Sequence, residues 1–396
     1  MARALTAPPV PLWKAVRADA ARYFSPDEVA RAKSYQRPLQ YASLAGTLVT
    51  AGVIAAIVWS EFPRRLLDQV GVTGWVWELL IVMAAYVVLA EIAGLPLSIW
   101  KTFVHEQKWG FNTQTPKGFV GDLVKGIVLG MAIQTPLLLA LWWLIRTTEL
   151  WWVWGWAVFF CFSVLLAFLF PVVIMPLFNK FTPLEDETLS SRLRALAEGV
   201  GMKVSGVQVM DASKRTKKDN AFFAGVGGTR RIVVFDNLLA QPHPVIASVV
   251  AHELGHWRRR HIARSIALGA VTSLLIFGAL RVVATWDVAL EWAGVSSVAD
   301  PASLPLVVLV FVSASALTGL VQSWVSRAFE RQADLDALEF TRDYDAFFET
   351  EHGLSTRNLI DLAPTWWRYI KASHPPPAER LELGKMWRER QSTSTR

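Results

Sequence analysis

The chain has 396 residues, of which 53% are apolar and 18% charged, and it carries a net charge of +7. Soluble domains run nearer to about 45–50% apolar and about 25% charged, so this balance excludes a disordered chain and argues against a plain soluble protein. The single cysteine, Cys161, excludes an internal disulfide and any metal site built from cysteines.

Residues 1–38 form a polar arm with seven Lys and Arg and no apolar run, which is unlike a cleavable signal peptide. Within it Ser25-Pro26-Asp27-Glu28 reads as a helix start, with Ser25 as N-cap and Pro26 in the first turn. A helix needs about 20 apolar residues to cross about 30 Å of hydrocarbon. Six segments qualify: Leu39–Ser60, Gln69–Trp100, Gly126–Ile145, Leu150–Asn179, Ser265–Leu280 and Pro301–Ser326. The fifth is short and is expected to extend an upstream helix. Trp59, Trp75, Trp100, Trp151 and Trp324 fall near the ends of these segments, as interfacial belts do. Glu78 and Glu91 sit in the second segment. The first is expected at the interface and the second facing an interior, and neither is given a catalytic role.

Between the fourth and fifth spans lies a soluble insert. Glu187–Val200 reads as an amphipathic helix, and Val204–Met210 alternates as a strand does. Arg231–Phe235 is a second strand candidate, with Gly225, Gly227 and Gly228 marking a turn before it. Residues 330–396 read as a helical tail. The resulting organisation is an arm (1–38), four spans (39–180), an insert ending in the helix described next (181–261), two spans (262–329) and a tail (330–396).

The 40 basic residues are unevenly placed. All but Arg64, Arg65, Arg146 and Arg281 fall in the arm, in residues 101–125, in residues 180–264 or in residues 327–396. Six spans put those segments on one side, and positive charge marks the cytoplasmic side. Both termini and the insert are therefore expected in the cytoplasm. The surplus charge reports topology rather than nucleic-acid binding, since no helix-turn-helix, zinc-finger or RNP pattern is present. The densest run, Lys214–Lys218, reads as a solvated loop or one lying near anionic lipid.

Just before the fifth span stands His252-Glu253-Leu254-Gly255-His256. On a helix, positions four apart lie about 40° from one another, so both imidazoles share a face and can present nitrogen to Zn²⁺. Glu253 lies beside them, where it can take a proton from an attacking water. A catalytic zinc has three protein ligands and one open position, so a third ligand must come from elsewhere. His261 is nine residues past His252, about 180° around a continuous helix, and is expected to face away. His243 is hemmed in by Pro242 and Pro244. Glu330, at the end of the sixth span, is a candidate from a second helix. Asp334 lies one turn further on, where it can accept the N–H of a ligating histidine. The bland alternative is that both carboxylates are solvated and paired with Arg327 and Arg331.

His252-Glu253-Leu254-Gly255-His256-Trp257 resembles the zinc motif of the type I CAAX prenyl endopeptidases, integral-membrane metallopeptidases of the gluzincin kind. Further blocks are similar in the same order. They are Thr102–Glu106 with Gly110-Phe111-Asn112 and Thr115; Pro176–Leu184; Ser213-Lys214-Arg215 with Asn220–Gly225; Ser326-Arg327, Glu330 and Ala333-Asp334; and Ser373–Pro376 with Glu379-Arg380-Leu381. The match covers about residues 27–390. The resemblance implies Glu330 as third ligand, with Asp334 supporting a ligating histidine. It implies Asn220 beside the substrate backbone, His374 and Arg380 lining the site, and His374 at the oxyanion. The strand holding Ile232, Val233 and Val234 would then be the edge onto which an extended peptide adds. Eukaryotic members carry one more transmembrane helix before the first span of this chain.

The expected protein is thus a mainly α, polytopic membrane protein with a small α+β protease part. It would hold one Zn²⁺ on His252, His256 and Glu330 and cut peptide or protein substrates, lipidated or not, with lipid as its surroundings. If the chain is bacterial, as its alanine and arginine richness suggests, the membrane is the inner one. Two rivals remain: a heat-shock-type quality-control zinc protease, and a non-catalytic scaffold or transporter with a structural zinc. Glu253 beside the metal argues against the latter, because a structural site needs no base.

Overall fold

The computed structural model describes residues 11–225 and 230–394. The expected turn at Gly227 and Gly228 lies outside them.

The first helix, α1 (Pro26–Trp59), begins where the capping signal places it. The Ser25 side chain accepts from the backbone of Glu28, and Glu28 reaches back to the backbone of Ser25. This reciprocal cap satisfies two otherwise unpaired N–H groups. The helix runs on through Pro38, so the polar arm and the first span share one rod. A short α2 (Phe62–Val70) turns the chain into α3 (Trp75–Ile99), whose first turn is closed by Glu78 accepting from the Gly74 N–H at 3.2 Å. Glu78 is therefore a cap at the span's end, and Glu91 is half-buried further along. A π-helical stretch, Trp100–Glu106, carries α3 to its loop. Helix α4 (Pro116–Thr147) starts on the Thr115 cap. Helix α5 (Trp151–Leu169) passes through a π-helical turn into α6 (Met175–Phe178), completing the fourth span.

The insert contains β1 (Phe181–Pro183), α7 (Glu187–Gly199), β2 (Gly206–Met210), β3 (Ala221–Ala224) and β4 (Arg231–Phe235). Then come α8 (His243–Arg258), the fifth span α9 (His261–Val283) and α10 (Asp287–Trp292). Helix α11 (Leu304–Thr341) carries the sixth span and continues beyond it. Helices α12 (Tyr344–Arg357), α13 (Trp366–Lys371) and α14 (Pro377–Ser394) complete the tail.

Among the described residues six helices are long and apolar enough to cross a membrane. They touch one another in the order α1, α3, α4, α5, α9, α11 and back to α1. Leu79 of α3, Trp142 of α4, Trp151 of α5, Phe277 of α9 and Leu304 of α11 meet in one buried core, which fills the ring at one end, while in none of the six is more than 28% of the most apolar stretch buried. Contact between α1 and α11 closes that ring. At one end Arg64 meets Asp300 at 2.7 Å, and Arg146 donates to the Ala299 carbonyl at 3.2 Å, joining the three sparsely basic loops. At the other end Arg215 binds Asp122 at 2.8 Å, and also Asn179 and the Phe178 carbonyl. Lys218 reaches Tyr35 at 2.8 Å and Glu106 at 3.2 Å. Part of the run expected to be a solvated loop is therefore a tether between insert and membrane helices. The reason is that carboxylates at the ends of two spans lie within reach of it.

The strands form one sheet in the order β1-β2-β4-β3, with β2 and β4 parallel and the other pairs antiparallel. Ile232 and Val234 point into a core shared with Leu189 and Leu193 of α7 and Ile246, Val250 and Leu254 of α8. Burying each such side chain stabilises by about 1.5–3 kcal/mol, which fixes α8 against the sheet. Val233 packs on the other face with Met210, Ala212 and Ala224. This corrects the expectation that Ile232, Val233 and Val234 form a free edge. Strand β4 is central, its backbone is spent on β2 and β3, and all three side chains are buried. Among the described residues the outer neighbour, β3, is paired on one side only.

Candidate active site

Two helices build the site. Helix α8 carries His252, Glu253 and His256, and α11 crosses it closely enough to bring Glu330 alongside. Small residues permit the crossing. A β-carbon on Gly255 would stand 2.9 Å from the Cα of Ala333 and 3.0 Å from the Cβ of Asp336. Arg259, at the end of α8, binds buried Asp336 through two bonds of 2.7 and 2.8 Å and holds the helix ends together.

The ring nitrogens Nε2 of His252 and His256 lie 3.2 Å apart. Glu330 Oε2 is 3.2 Å from the first, and Glu330 Oε1 is 3.4 Å from the second. One ligand atom from each of the three residues falls within 4.8 Å of the others. Glu330 Oε2 is buried and has no hydrogen-bond donor of its own. An orphaned carboxylate oxygen facing two imidazole nitrogens is a donor set suited to a divalent cation. Three protein ligands leave a coordination position for water, as a catalytic site requires.

Behind the ligands runs a chain of charges. His252 Nδ1 lies 2.9 Å from Asp334 Oδ1, which directs Nε2 toward Glu330. Asp334 is completely buried and takes Arg380 on both oxygens, at 2.9 and 2.5 Å. The other terminal nitrogen of Arg380 binds Glu351 at 2.6 Å. Arg380 was expected to line the site. Instead its guanidinium is committed to Asp334 and Glu351, on the side of His252 away from Glu330. Its Nη2 also lies 3.3 Å from His252 Nδ1, so it acts on His252 both directly and through Asp334.

These surroundings divide the titrating groups. Burial opposes charge on His252, but Asp334 and Glu330 outweigh it and raise the imidazole to about 10. Burial and the positive His252 lower His256 to about 3. Burial raises Glu253 to about 7, with His252 and Arg380 opposing and Glu330 adding. Burial likewise raises Glu351 to about 7 against the pull of Arg380. Two buried carboxyls poised near neutrality around the same His252, Glu330 and Arg380 are a common mark of an active site.

His374 lies at the mouth, with Nε2 3.3 Å from Glu330 Oε2 and Nδ1 2.9 Å from Ser373 Oγ. Burial lowers its basicity, with Glu330 opposing and Arg380 and His252 adding. Asn220 is exposed at the head of β3. Its carbonyl accepts from the Phe235 N–H at 3.0 Å, and its side-chain oxygen accepts from the Ala221 N–H at 2.9 Å. His243 is away from the ligands and pairs with Asp186 at 3.0 Å.

Two residues, Glu351 and Gln332, escaped the sequence reading, and a third, His261, was misplaced. Glu351 has no motif to mark it. His261 was expected to face away on a continuous helix, but the chain breaks at Arg260, which adopts a left-handed conformation with φ of 54°. His261 consequently swings back, and its Nδ1 lies 3.0 Å from Nδ1 of His256. Its other nitrogen lies 3.0 Å from Gln332 Oε1. No glycine announces the break, so nothing local in the sequence predicts it.

The chain matches known proteins along nearly its whole length. Residues 10–180 match the profile described as CAAX prenyl protease N-terminal, five membrane helices. Residues 183–386 match the profile of peptidase family M48. The CAAX prenyl protease 1 of Saccharomyces cerevisiae is 34% identical over 319 residues, covering 74% of this chain and 69% of that protein. The CAAX prenyl protease 1 homolog of Oryza sativa is 32% identical over 308 residues, covering 76% and 71%. The crystal structure of S. mikatae Ste24p superposes with a TM-score of 0.82 at 25% identity, covering 94% of this chain and 93% of that one. With its six apolar spans and its His-Glu-x-x-His helix, the chain belongs to peptidase family M48 and is a multi-pass membrane metalloprotease.

Proposed function

We propose that the chain binds one zinc ion through His252, His256 and Glu330. We propose further that it hydrolyses peptide bonds near the C-termini of membrane-attached proteins, prenylated ones included, from the cytoplasmic face. The observation that carries this reading is the convergence of two Nε2 atoms on an orphaned Glu330 oxygen beside Glu253. The substrate class rests on the similar proteins named CAAX prenyl protease 1. The sidedness rests on the basic loops at the protease end.

When bound, zinc supplies a Lewis acid that activates water and polarises the scissile carbonyl. Glu253 accepts the proton of the attacking water and returns it to the leaving amine. A serine hydroxyl donating to His374 Nδ1 leaves the His374 proton on Nε2, 3.3 Å from Glu330 Oε2, and with that oxygen engaged as a ligand the proton would be free to stabilise the oxyanion. Asp334 holds His252 in the tautomer that offers Nε2, and Arg380 with Glu351 holds Asp334.

The substrate adds to β3 rather than to β4. Since Asn220 accepts from Phe235, antiparallel alternation turns the backbone groups of Ala221 and Phe223 away from β4. An extended peptide can pair there, with the Asn220 side chain at its end. In this reading residues 39–180 and 262–329 form the membrane part, and residues 181–261 with 330–396 form the protease part. The two share α11 instead of being joined there by a linker, and α1 likewise joins the arm (1–38) to the membrane part.

The test is cleavage in detergent of a peptide ending in a C-a-a-X sequence, farnesylated and bare, with and without chelator. Chelator-sensitive release of the last three residues by the wild type, but not by Glu253→Gln, supports the reading. Zinc analysis of Glu330→Ala provides the second arm, and unchanged occupancy would refute that ligand. Cleavage only of unfolded membrane proteins would favour a quality-control role instead.

A further inference from the structure

We propose that His261 is a positioning residue for His256 and that, together with Gln332, it selects the tautomer in which His256 can bind a metal. This rests on the zinc reading above and concerns residues outside the ligand set.

His261 is the first residue of α9, yet it serves α8. The left-handed Arg260 breaks the helix between α8 and α9, and the Arg259–Asp336 pair secures the turn. A residue other than glycine in that conformation costs about 1 kcal/mol or more, so the turn is kept by what surrounds it. His261 is 3% exposed. Its ring stacks on Phe329 with centroids 4.1 Å apart and planes 7° from parallel, which leaves its two nitrogens directed along the plane. One meets His256 Nδ1 and the other Gln332 Oε1, each at 3.0 Å.

A hydrogen bond needs one donor and one acceptor, and a neutral imidazole supplies one of each. With the Gln332 carbonyl facing it, His261 carries its proton on Nε2 and offers a lone pair at Nδ1. His256 must then donate from its own Nδ1. Its Nε2 is left free, and that is the atom lying 3.2 Å from His252 Nε2 and 3.4 Å from Glu330 Oε1. Were the Gln332 amide turned, every proton in the chain would shift by one atom. His256 would carry its proton on Nε2 and could not ligate. The orientation of one buried amide thus determines whether the second histidine is a ligand.

The two ligating histidines are supported differently. His252 faces a carboxylate, Asp334, which can only accept. His256 faces a neutral imidazole whose direction is set one step further back. A neutral partner adds no further negative charge to a site that already holds Glu253, Glu330, Asp334 and Glu351 against Arg380.

The test uses the full-length protein in detergent at pH 8, comparing wild type with His261→Phe, Gln332→Leu and Gln332→Glu. His261→Phe keeps a ring on Phe329 but has no nitrogen. Gln332→Glu can only accept, as the proposed orientation requires, and Gln332→Leu can do neither. Zinc loss to a chelator is expected to be about 10–100-fold faster in His261→Phe and Gln332→Leu, with Gln332→Glu close to wild type. The visible spectrum of the cobalt-substituted protein should change in the first two only, and the Tm of the chelator-treated protein should be alike in all four. Wild-type release rates in His261→Phe overturn the proposal, as does identical behaviour of Gln332→Glu and Gln332→Leu. If His261→Phe does not fold, the Gln332 pair decides alone. A wild-type protein that takes up no zinc overturns the zinc reading as well.

Discussion

Gly255 and Ala333 lie in backbone contact: a β-carbon on the glycine would come within 2.9 Å of the alanine Cα. The contact partner is backbone, which cannot rotate aside. Gly255→Ala should therefore push α11 away from α8 and separate Glu330 from the two histidines. Overpacking of this kind costs about 1–3 kcal/mol. The expected outcome is a lower Tm together with reduced zinc occupancy by metal analysis. Full occupancy would show that the crossing has slack.

Glu253 must be a carboxylate to accept a proton, and burial raises it to about 7. A dication on the neighbouring ligands favours the charged form and lowers that value. kcat/KM should therefore rise with pH and be lost as pH falls through an acid limb at or below about 7. Glu253→Gln should retain zinc and lose about 10²–10⁴-fold in kcat. An acid limb well above neutrality would assign the base to another group.

Arg380 lies between two buried carboxylates, at 2.5 Å from Asp334 and 2.6 Å from Glu351. Removing its charge leaves both uncompensated, a loss of about 3–5 kcal/mol. Arg380→Met should be strongly destabilised, and adding Glu351→Gln should recover part of the loss. Arg380→Lys should not substitute, because a lysine cannot make the two-pronged contact with Asp334. Denaturation midpoints of the three variants check this. Equal midpoints for Arg380→Met with and without Glu351→Gln would remove Glu351 from the network.

Ile232 is buried in the core between sheet and helix rather than placed along an edge. Ile232→Ala should cost about 2–5 kcal/mol and lower Tm while leaving KM for peptide near wild type. A raised KM without loss of stability would return the substrate to β4.

Much of the protein was legible in order along the chain. The six spans follow from long stretches nearly free of charge, the α1 start from Ser25 and Glu28, and the shared face of His252 and His256 from helical period. Each depends on residues near in sequence, where backbone geometry leaves few alternatives. The expected edge at Arg231–Phe235 failed because strand pattern reports burial but not neighbours. A run of Ile, Val and Val fits a central strand at least as well as an edge. His261 was misplaced because no glycine or proline stands next to Arg260 to mark the break there.

The sequence alone therefore determined the membrane class and the identity of the helix that carries the His-Glu-x-x-His motif, since these rest on composition and on periods of a few residues. The tertiary structure decided which partners those residues meet. It placed Glu330 against α8, turned Arg380 onto Asp334 and Glu351, made β3 the outer strand and brought His261 back to His256. Each of these joins groups that are distant in the chain or lie across a break in it. They are set by helix crossing, sheet order and the packing of buried charge, none of which has a local spacing to read.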